Sequence, residues 1–243
     1  MSDQNLKSYK VWDLPTRLFH GINLLSILVL LAVGLVIFNA GALGVSREGK
    51  ILLKTIHVIT GYVFAVNLVL RLVWGFFGNR YARFSALLPA GKGYGAELKA
   101  FLAAEKAGKP QYYLGHNPLA RIGLTFLIII LISQASTGLV LAGTDIYYPP
   151  FGGWIAEWVA ASGVDPSTLV PYAKELVDET AFNEMRAFRS PYIELHVYGF
   201  YTLLVLIPIH VFAAITVDRK IGGGLISALF TGKKVYPDEP EDK

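Results

Sequence analysis

The chain has 243 residues, of which only 16% are charged and 53% are hydrophobic. A soluble domain carries roughly 25% charged residues, so this composition, with a mean hydropathy of +0.47, excludes an ordinary soluble protein and predicts a single membrane domain over 1–243. Cysteine is absent, which excludes disulfides, zinc–thiolate sites and iron–sulfur ligation by this chain. Histidine is left as the natural ligand for a transition metal.

Four apolar segments are long enough to cross a bilayer, which requires roughly 20 largely apolar residues per helix. A connection with a short amphipathic helix at 96–107 joins the second segment to the third, and a longer connection at 143–191 joins the third to the fourth. The acidic tail, 238–242, is expected to be disordered. These elements predict an all-α membrane protein, a four-transmembrane-helix bundle with helices at 18–39, 51–77, 119–142 and 192–217.

The basic residues are concentrated in the N-terminal arm, the second connection and the C-terminal tail. By the positive-inside rule, this distribution predicts that both termini are cytoplasmic and that 143–191 is periplasmic. The pI near 9.1 then follows from topology, so we expect membrane lipid and no nucleic acid as a partner. The basic residues in these three segments are Lys7, Lys10, Arg17, Arg71, Arg80, Arg83, Lys92, Lys99, Lys106, Lys109, Arg121, Arg219, Lys220, Lys233, Lys234 and Lys243.

The 143–191 connection starts with aromatic residues and becomes acidic further on. An aromatic cluster at the end of a membrane helix usually marks the lipid–water interface. The connection is, however, longer than two helices need, and long ordered loops tend to carry function. An interfacial belt and a docking surface for a soluble partner are therefore both open interpretations.

Four of the five histidines fall within predicted spans, where ionisable side chains are costly and rare. His196 and His210 belong to one helix, and their spacing corresponds to a rise of about 21 Å that leaves both imidazoles on one face at different depths. The predicted topology puts His20 at the depth of His210 on the cytoplasmic side. It puts His57 at the depth of His196 on the outer side.

Two imidazoles on facing helices, one on each side of a plane, are what a six-coordinate b-type haem requires, and a helix bundle supplies an apolar slot for the porphyrin. We therefore predict an inner haem iron bound by His20 and His210 and an outer haem iron bound by His57 and His196. The alternatives are hydrogen bonds between helices and a non-haem metal.

Several residues near the histidines are secondary candidates for haem binding. Gly61 and Gly199 lie about one turn after His57 and His196, and Gly34 and Gly138 lie within the first and third helices. Because glycine has no Cβ atom, these positions would let a macrocycle approach the backbone. Ordinary packing of small residues between membrane helices explains the four glycines equally well. The basic residues Arg17, Arg71 and Lys54 either pair with haem propionates or are snorkelling charges.

His116 lies in the cytoplasmic connection, close to Arg121. Histidine titrates near neutral pH, so one hypothesis assigns these two residues to a quinone or proton site. The alternative is that His116 caps the third helix and orders the loop that precedes it.

Five stretches of sequence carry a recognisable pattern around these histidines. They are VWDLPTRLFH ending at His20, HVITGYVFAVNLVLRLVWGFFGN from His57, YLGHNPLAR around His116, STGLVLAG in the third helix, and HVYGFYTLLVLIPIHVFAAITVD from His196. Together they resemble the bacterial di-haem cytochrome b family, which includes the membrane cytochrome b subunits of nickel–iron hydrogenases and, more distantly, the γ subunit of formate dehydrogenase.

The resemblance implies an electron-transfer subunit of an oxidoreductase complex in the bacterial inner membrane, without catalytic residues of its own. In the family, the counterparts of His57 and His196 hold the outer haem and those of His20 and His210 hold the inner one. Electrons from the large and small subunits of a periplasmic hydrogenase, delivered through iron–sulfur centres, cross the two haem b groups and reduce quinone.

Two alternatives to this function remain open. The same module could serve a formate or thiosulfate enzyme or a soluble cytochrome, because the 143–191 connection departs from the compact hydrogenase subunits. A non-redox four-helix membrane scaffold is the other alternative.

Overall fold

The computed structural model of the chain describes residues 6–243. Four of its helices are long and apolar enough to cross a membrane, which confirms the predicted helical membrane fold and its number of spans. The helices are α1 (Leu14–Phe38), α2 (Arg47–Phe77), α3 (Phe84–Leu87), α4 (Tyr94–Lys106), α5 (Pro118–Ile146), α6 (Gly152–Val159), α7 (Glu179–Ile221) and α8 (Ala228–Thr231). The membrane spans are α1, α2, α5 and α7.

The spans carry most of their apolar side chains on the outside. In the most apolar window of each span, at most 22% of the residues are buried within the protein. Leu25, Phe76 and Phe212 are all more than 60% exposed. This arrangement suits a lipid solvent, in which apolar side chains are soluble and each helix satisfies its own backbone hydrogen bonds.

The fourth span differs most from its predicted bounds. The α7 helix begins at Glu179 instead of 192 and has 43 residues, or about 64 Å of helix. The Asp178 carboxylate accepts a hydrogen bond from the amide of Ala181 at 2.8 Å, as an N-terminal cap does. Hydropathy missed the first three turns because they are polar, and Pro191 is accommodated within the helix. The connection between α5 and α7 is therefore 147–178.

The remaining predicted helix bounds differ by a few residues. The α1 helix begins at Leu14, where Asp13 accepts a hydrogen bond from the amide of Thr16 at 3.0 Å. The α5 helix begins at Pro118, and Asn117 accepts from the amide of Ala120 at 2.7 Å. The short amphipathic helix expected at 96–107 is confirmed as α4.

The described chain forms two compact units. The terminal unit comprises residues up to 22, 67–129 and 203–243, and so contains both chain ends. The connection unit comprises 23–66 and 130–202, and so contains the 147–178 connection. The single domain expected over 1–243 stays a prediction.

In the terminal unit the two chain ends pair with each other. Strand β1 (Lys7–Lys10) is antiparallel to β2 (Lys233–Tyr236), a small sheet that the all-α prediction missed. Both ends thus lie on one side of the membrane, as an even number of spans requires. Their assignment to the cytoplasmic side stays a prediction.

The C-terminal tail holds the loop that precedes α5. The Asp242 carboxylate accepts hydrogen bonds from the amides of Leu114 at 2.6 Å and Gly115 at 2.7 Å. The Lys234 ammonium donates to the carbonyls of Tyr113 at 3.0 Å and Gly115 at 3.1 Å. Burial lowers the pKa of Lys234 to about 8. The prediction of a disordered acidic tail is wrong, because composition does not reveal which backbone groups a carboxylate will meet.

In the connection unit, 147–178 is a folded element and not a slack loop. Residues of α6 and of the following turns pack against the start of α7. The amide of Asp178 donates to the carbonyl of Val159 at 2.9 Å, which closes the connection onto α6. The buried residues are Ile155, Ala156, Val159, Leu169 and Met185.

We predict that Asp242→Ala lowers the apparent unfolding temperature in detergent. The substitution leaves two amide donors without their acceptor, at a cost of about 1–3 kcal/mol. Differential scanning fluorimetry should detect the loss, and limited proteolysis should cut more readily around residues 111–117. The exposed Asp238 provides a control, since Asp238→Ala should change neither property. Equal behaviour of the two variants would contradict the role of Asp242.

Candidate functional site

The connection unit brings His57 of α2 next to His196 of α7. Their ring centroids are 6.3 Å apart and the rings are inclined at 71°. Metal–imidazole bonds are about 2 Å long, so one metal ion between the two rings accounts for most of this separation. In the described part of the chain no group of three or more His, Cys, Asp or Glu side chains is placed to hold a metal ion. Two imidazoles alone leave a metal short of ligands, and a porphyrin would supply four more. The pair therefore fits a haem iron.

A hydroxyl group on α5 fixes the orientation of His196. The Thr137 Oγ1 atom lies 2.7 Å from the carbonyl oxygen of Ser133 and 2.9 Å from Nδ1 of His196. A hydroxyl has one proton; when Thr137 donates it to Ser133, the shorter of the two contacts, its oxygen accepts the Nδ1–H of His196. The other ring nitrogen, Nε2, is left with its lone pair free to bind a metal, as ligating histidines usually are arranged.

Two glycines accommodate the rings of this histidine pair. A Cβ atom on Gly34 of α1 would lie 3.3 Å from Cε1 of His57, and one on Gly138 of α5 would lie 3.4 Å from Cε1 of His196. Each glycine thus gives the imidazole, and not a macrocycle, its close approach to the neighbouring helix. The Nδ1 atom of His57 is buried without a hydrogen-bond partner among the described residues.

The other two glycines named from the sequence have different surroundings. The position of a Cβ atom on Gly61 is open, with no atom within 4 Å, as clearance for a macrocycle requires. Gly199 packs against Gln134 of α5, whose amide a Cβ atom would overlap. Gln134 donates to the carbonyl of His196 at 3.0 Å, so Gly199 admits a second α5 side chain to this histidine.

Sequence reasoning missed Thr137 and Gln134. The signal that could have found them is the presence of polar side chains in an apolar span, where each needs a partner within the protein.

In the terminal unit, His20 of α1 and His210 of α7 lie close enough for their imidazoles to interact electrostatically. The two histidines of the predicted inner pair thus belong to the same unit, and their binding of one haem stays a prediction. Arg17, one turn before His20, donates to the carbonyl of Phe230, and its Nε atom is buried without a partner in the described chain. That atom can bind an anion such as a propionate. Arg71 donates to the carbonyl of Ala82 at 3.1 Å.

His116 belongs to the same unit and stacks on Trp12, with ring centroids 5.2 Å apart. Burial, together with the positive charges of Lys234 and Arg71, lowers the pKa of His116 to about 3. The imidazole is therefore neutral at physiological pH. Its Nδ1 atom is buried without a hydrogen-bond partner among residues 6–243. Asn117, and not His116, caps α5.

Arg121 and His116 both line a polar cavity of about 240 Å³. Arg121 also stabilises the fold locally, since its guanidinium donates to the carbonyls of Leu88 at 3.0 Å and Ala90 at 3.3 Å. The cavity further contains the carboxylates of Glu97 and Asp242. It therefore combines hydrogen-bond donors and acceptors beside a neutral histidine.

We predict that Thr137→Val weakens haem binding at the His57 and His196 pair. Loss of a hydrogen bond to a ligating histidine typically costs about 10–100-fold in metal affinity. Haem retained per chain after extended washing, measured as pyridine haemochrome, tests this. Thr144→Val is the matched control, because Thr144 is also buried in α5 and, among residues 6–243, donates only within its own helix, to the carbonyl of Val140. Equal haem retention in both variants would contradict the orienting role.

We also predict that His116 contributes to acid sensitivity. The pKa of His116 is about 3 in the folded chain, against 6.5 for an ordinary histidine. As the pH falls below 6.5, His116 is therefore protonated in the unfolded chain while it stays neutral in the folded chain. The contribution of His116 to stability is complete above pH 6.5 and is lost as the pH falls towards 3. His116→Phe retains the ring without the proton site. Between about pH 7.5 and about pH 5.5, its unfolding temperature should fall less than that of the wild type; equal falls would refute the prediction.

Comparison with known proteins places these sites in a family. Residues 11–232 match the family described as prokaryotic cytochrome b561. A probable Ni/Fe-hydrogenase B-type cytochrome subunit of Cupriavidus necator is 25% identical over 98% of this chain and 91% of that protein. Its namesake in Azotobacter vinelandii is 26% identical over 96% of this chain and 90% of that protein.

The probable Ni/Fe-hydrogenase 1 B-type cytochrome subunit of Escherichia coli strain K12 is 29% identical, over 66% of this chain and 74% of that protein. No solved structure matches the chain. The family match includes all four spans and both histidine pairs, and a b-type cytochrome implies haem b. The resemblance inferred from the sequence motifs is thus confirmed, and the chain belongs to the prokaryotic cytochrome b561 family.

Proposed function

We propose that the chain is the di-haem cytochrome b subunit of a periplasmic nickel–iron hydrogenase and passes its electrons across the bacterial inner membrane to quinone. The observation that carries this proposal is the presence of one histidine pair in each unit, His57 with His196 and His20 with His210. The names of the similar proteins support the hydrogenase as partner. Haem b, when bound, supplies a one-electron carrier.

The protein's own contribution is to bind and orient the two carriers. His57 and His196 would hold the outer haem, and Thr137 orients His196 with Nε2 available. His20 and His210 would hold the inner haem. Arg17 and Arg71 supply positive charge for propionates on the cytoplasmic side, and the apolar spans exclude water from the path.

Quinone reduction takes two electrons and two protons, and we assign it to the terminal unit. His116 and Arg121 line the polar cavity there. A neutral imidazole donates from one ring nitrogen and accepts at the other, so His116 can bind a quinone oxygen or relay a proton. Uptake of these protons from the cytoplasm would couple electron crossing to charge separation.

Docking of the hydrogenase is assigned to the folded 147–178 connection. It is ordered by its own buried cluster, and it adjoins the part of α7 that leads to His196. In native membranes, hydrogen should reduce the haem bands and the hydrogenase subunits should co-purify with this chain. Reduction by another donor, with a different enzyme co-purifying, would replace the hydrogenase with that partner.

We predict that His57→Ala removes one haem and leaves the other. Removal of one histidine should abolish haem binding at its own pair only, because the other pair shares none of its residues. Reduced-minus-oxidised spectra and pyridine haemochrome should give two haems per wild-type chain and one per His57→Ala chain. His116→Ala, which changes a histidine outside the pairs, should retain two. Two haems in the His57→Ala protein would refute the ligand assignment.

A further inference from the structure

A partly buried ionic cluster lies in the connection unit beside the outer histidine pair. The Asp145 carboxylate of α5 lies 2.7 Å from the ammonium of Lys54 on α2 and 2.5 Å from Nε of Arg189 on α7. The side chains are at most 26% exposed. We name these three residues the Asp145 cluster.

The Asp145 cluster is built on the same three helices as the outer site. Lys54 precedes His57 by one turn on α2, and Arg189 precedes His196 by two turns on α7. The Asp145 carboxylate lies close enough to the His196 imidazole to interact with it electrostatically. The charge of Asp145 therefore affects the energy of adding or removing an electron at the site between His57 and His196.

The cluster has two positive charges and one negative charge, so a net positive charge remains. Removing an ion pair from water costs free energy, so stabilisation of the fold is not a sufficient reason for this cluster. The ring of Tyr172, from the 147–178 connection, lies 5.4 Å from the ammonium of Lys54. Partly buried charges are screened by salt much less than exposed ones, which makes those of the cluster effective at the neighbouring site.

We propose that Asp145, by holding Lys54 and Arg189 in one cluster, sets the reduction potential of the outer haem. This inference rests on the proposed function, because it requires a redox carrier between His57 and His196. Reduction adds one electron to that site. A fixed negative charge nearby disfavours the added electron and a fixed positive charge favours it. Asp145 is thus a positioning residue whose removal has a predictable sign.

The test is a spectroelectrochemical titration of the two haems in the purified full chain. Asp145→Asn removes the negative charge and should raise the outer midpoint potential. Lys54→Met and Arg189→Gln each remove a positive charge and should lower it. We expect each to change the reduction equilibrium constant about tenfold, which is about 59 mV for a one-electron couple. The outer haem is identified as the component that His57→Ala removes.

Arg186 provides the matched control, because it is an exposed arginine one turn before Arg189 on the same helix. Arg186→Gln should leave both potentials unchanged, and the inner haem should be unaffected in every variant. Asp145→Glu keeps the charge and should restore the wild-type potential. If the Asp145 cluster were merely structural, its substitutions would lower stability but would not shift the outer midpoint potential in opposite directions.

The possible failures are distinct. Purified chains that lack two haems would overturn the proposed function and this inference with it. Two haems whose potentials do not respond to these substitutions, or respond with the wrong sign, would overturn the inference alone. If Asp145→Asn does not fold, Lys54→Met and Arg189→Gln still decide the question, since both must lower the outer potential.

Discussion

Polar side chains within the spans must be satisfied by other groups of the protein, because hydrocarbon offers no hydrogen bonds. Asn67 of α2 donates to the carbonyl of Phe19 on α1 at 2.9 Å. Gln134 and Thr137 of α5 both bind His196 on α7. These contacts specify which faces of the helices meet, and apolar side chains facing lipid cannot. The histidine pair in the connection unit depends on them, since they determine the orientation of His196.

The α7 helix serves more than one purpose along its 43 residues. Its first turns carry part of the buried cluster of the connection, including Met185, and Arg189 of the Asp145 cluster. The following turns carry His196, and later ones carry His210. A continuous helix is rigid, so the connection, the ionic cluster and His196 have a fixed spacing. A partner bound at the connection would therefore meet a site whose ligand is already oriented.

The terminal unit uses polar groups outside the spans to order a loop. Asp242 and Lys234 hold residues 113–115, and His116 follows directly. The same environment keeps His116 neutral, because burial and nearby positive charges lower its pKa. A neutral imidazole retains a donor and an acceptor, so it can donate to a quinone oxygen and can also accept a proton. The tail thus maintains the chemistry that we assign to this unit.

The amino-acid sequence by itself determined the number of spans and the family, and it predicted both histidine pairs. Hydropathy and helical spacing are local properties, so the depth of each histidine, and from it the pairing of His196 with His57 and of His210 with His20, can be predicted from the sequence. Only the tertiary structure decided that Thr137 orients His196, that Gly34 and Gly138 accommodate imidazoles, and that Asp145 joins Lys54 to Arg189. The tertiary structure also decided that the C-terminal tail is ordered, through the hydrogen bonds of Asp242. These contacts join residues far apart in the chain, and their existence depends on distances and directions that only the folded chain defines.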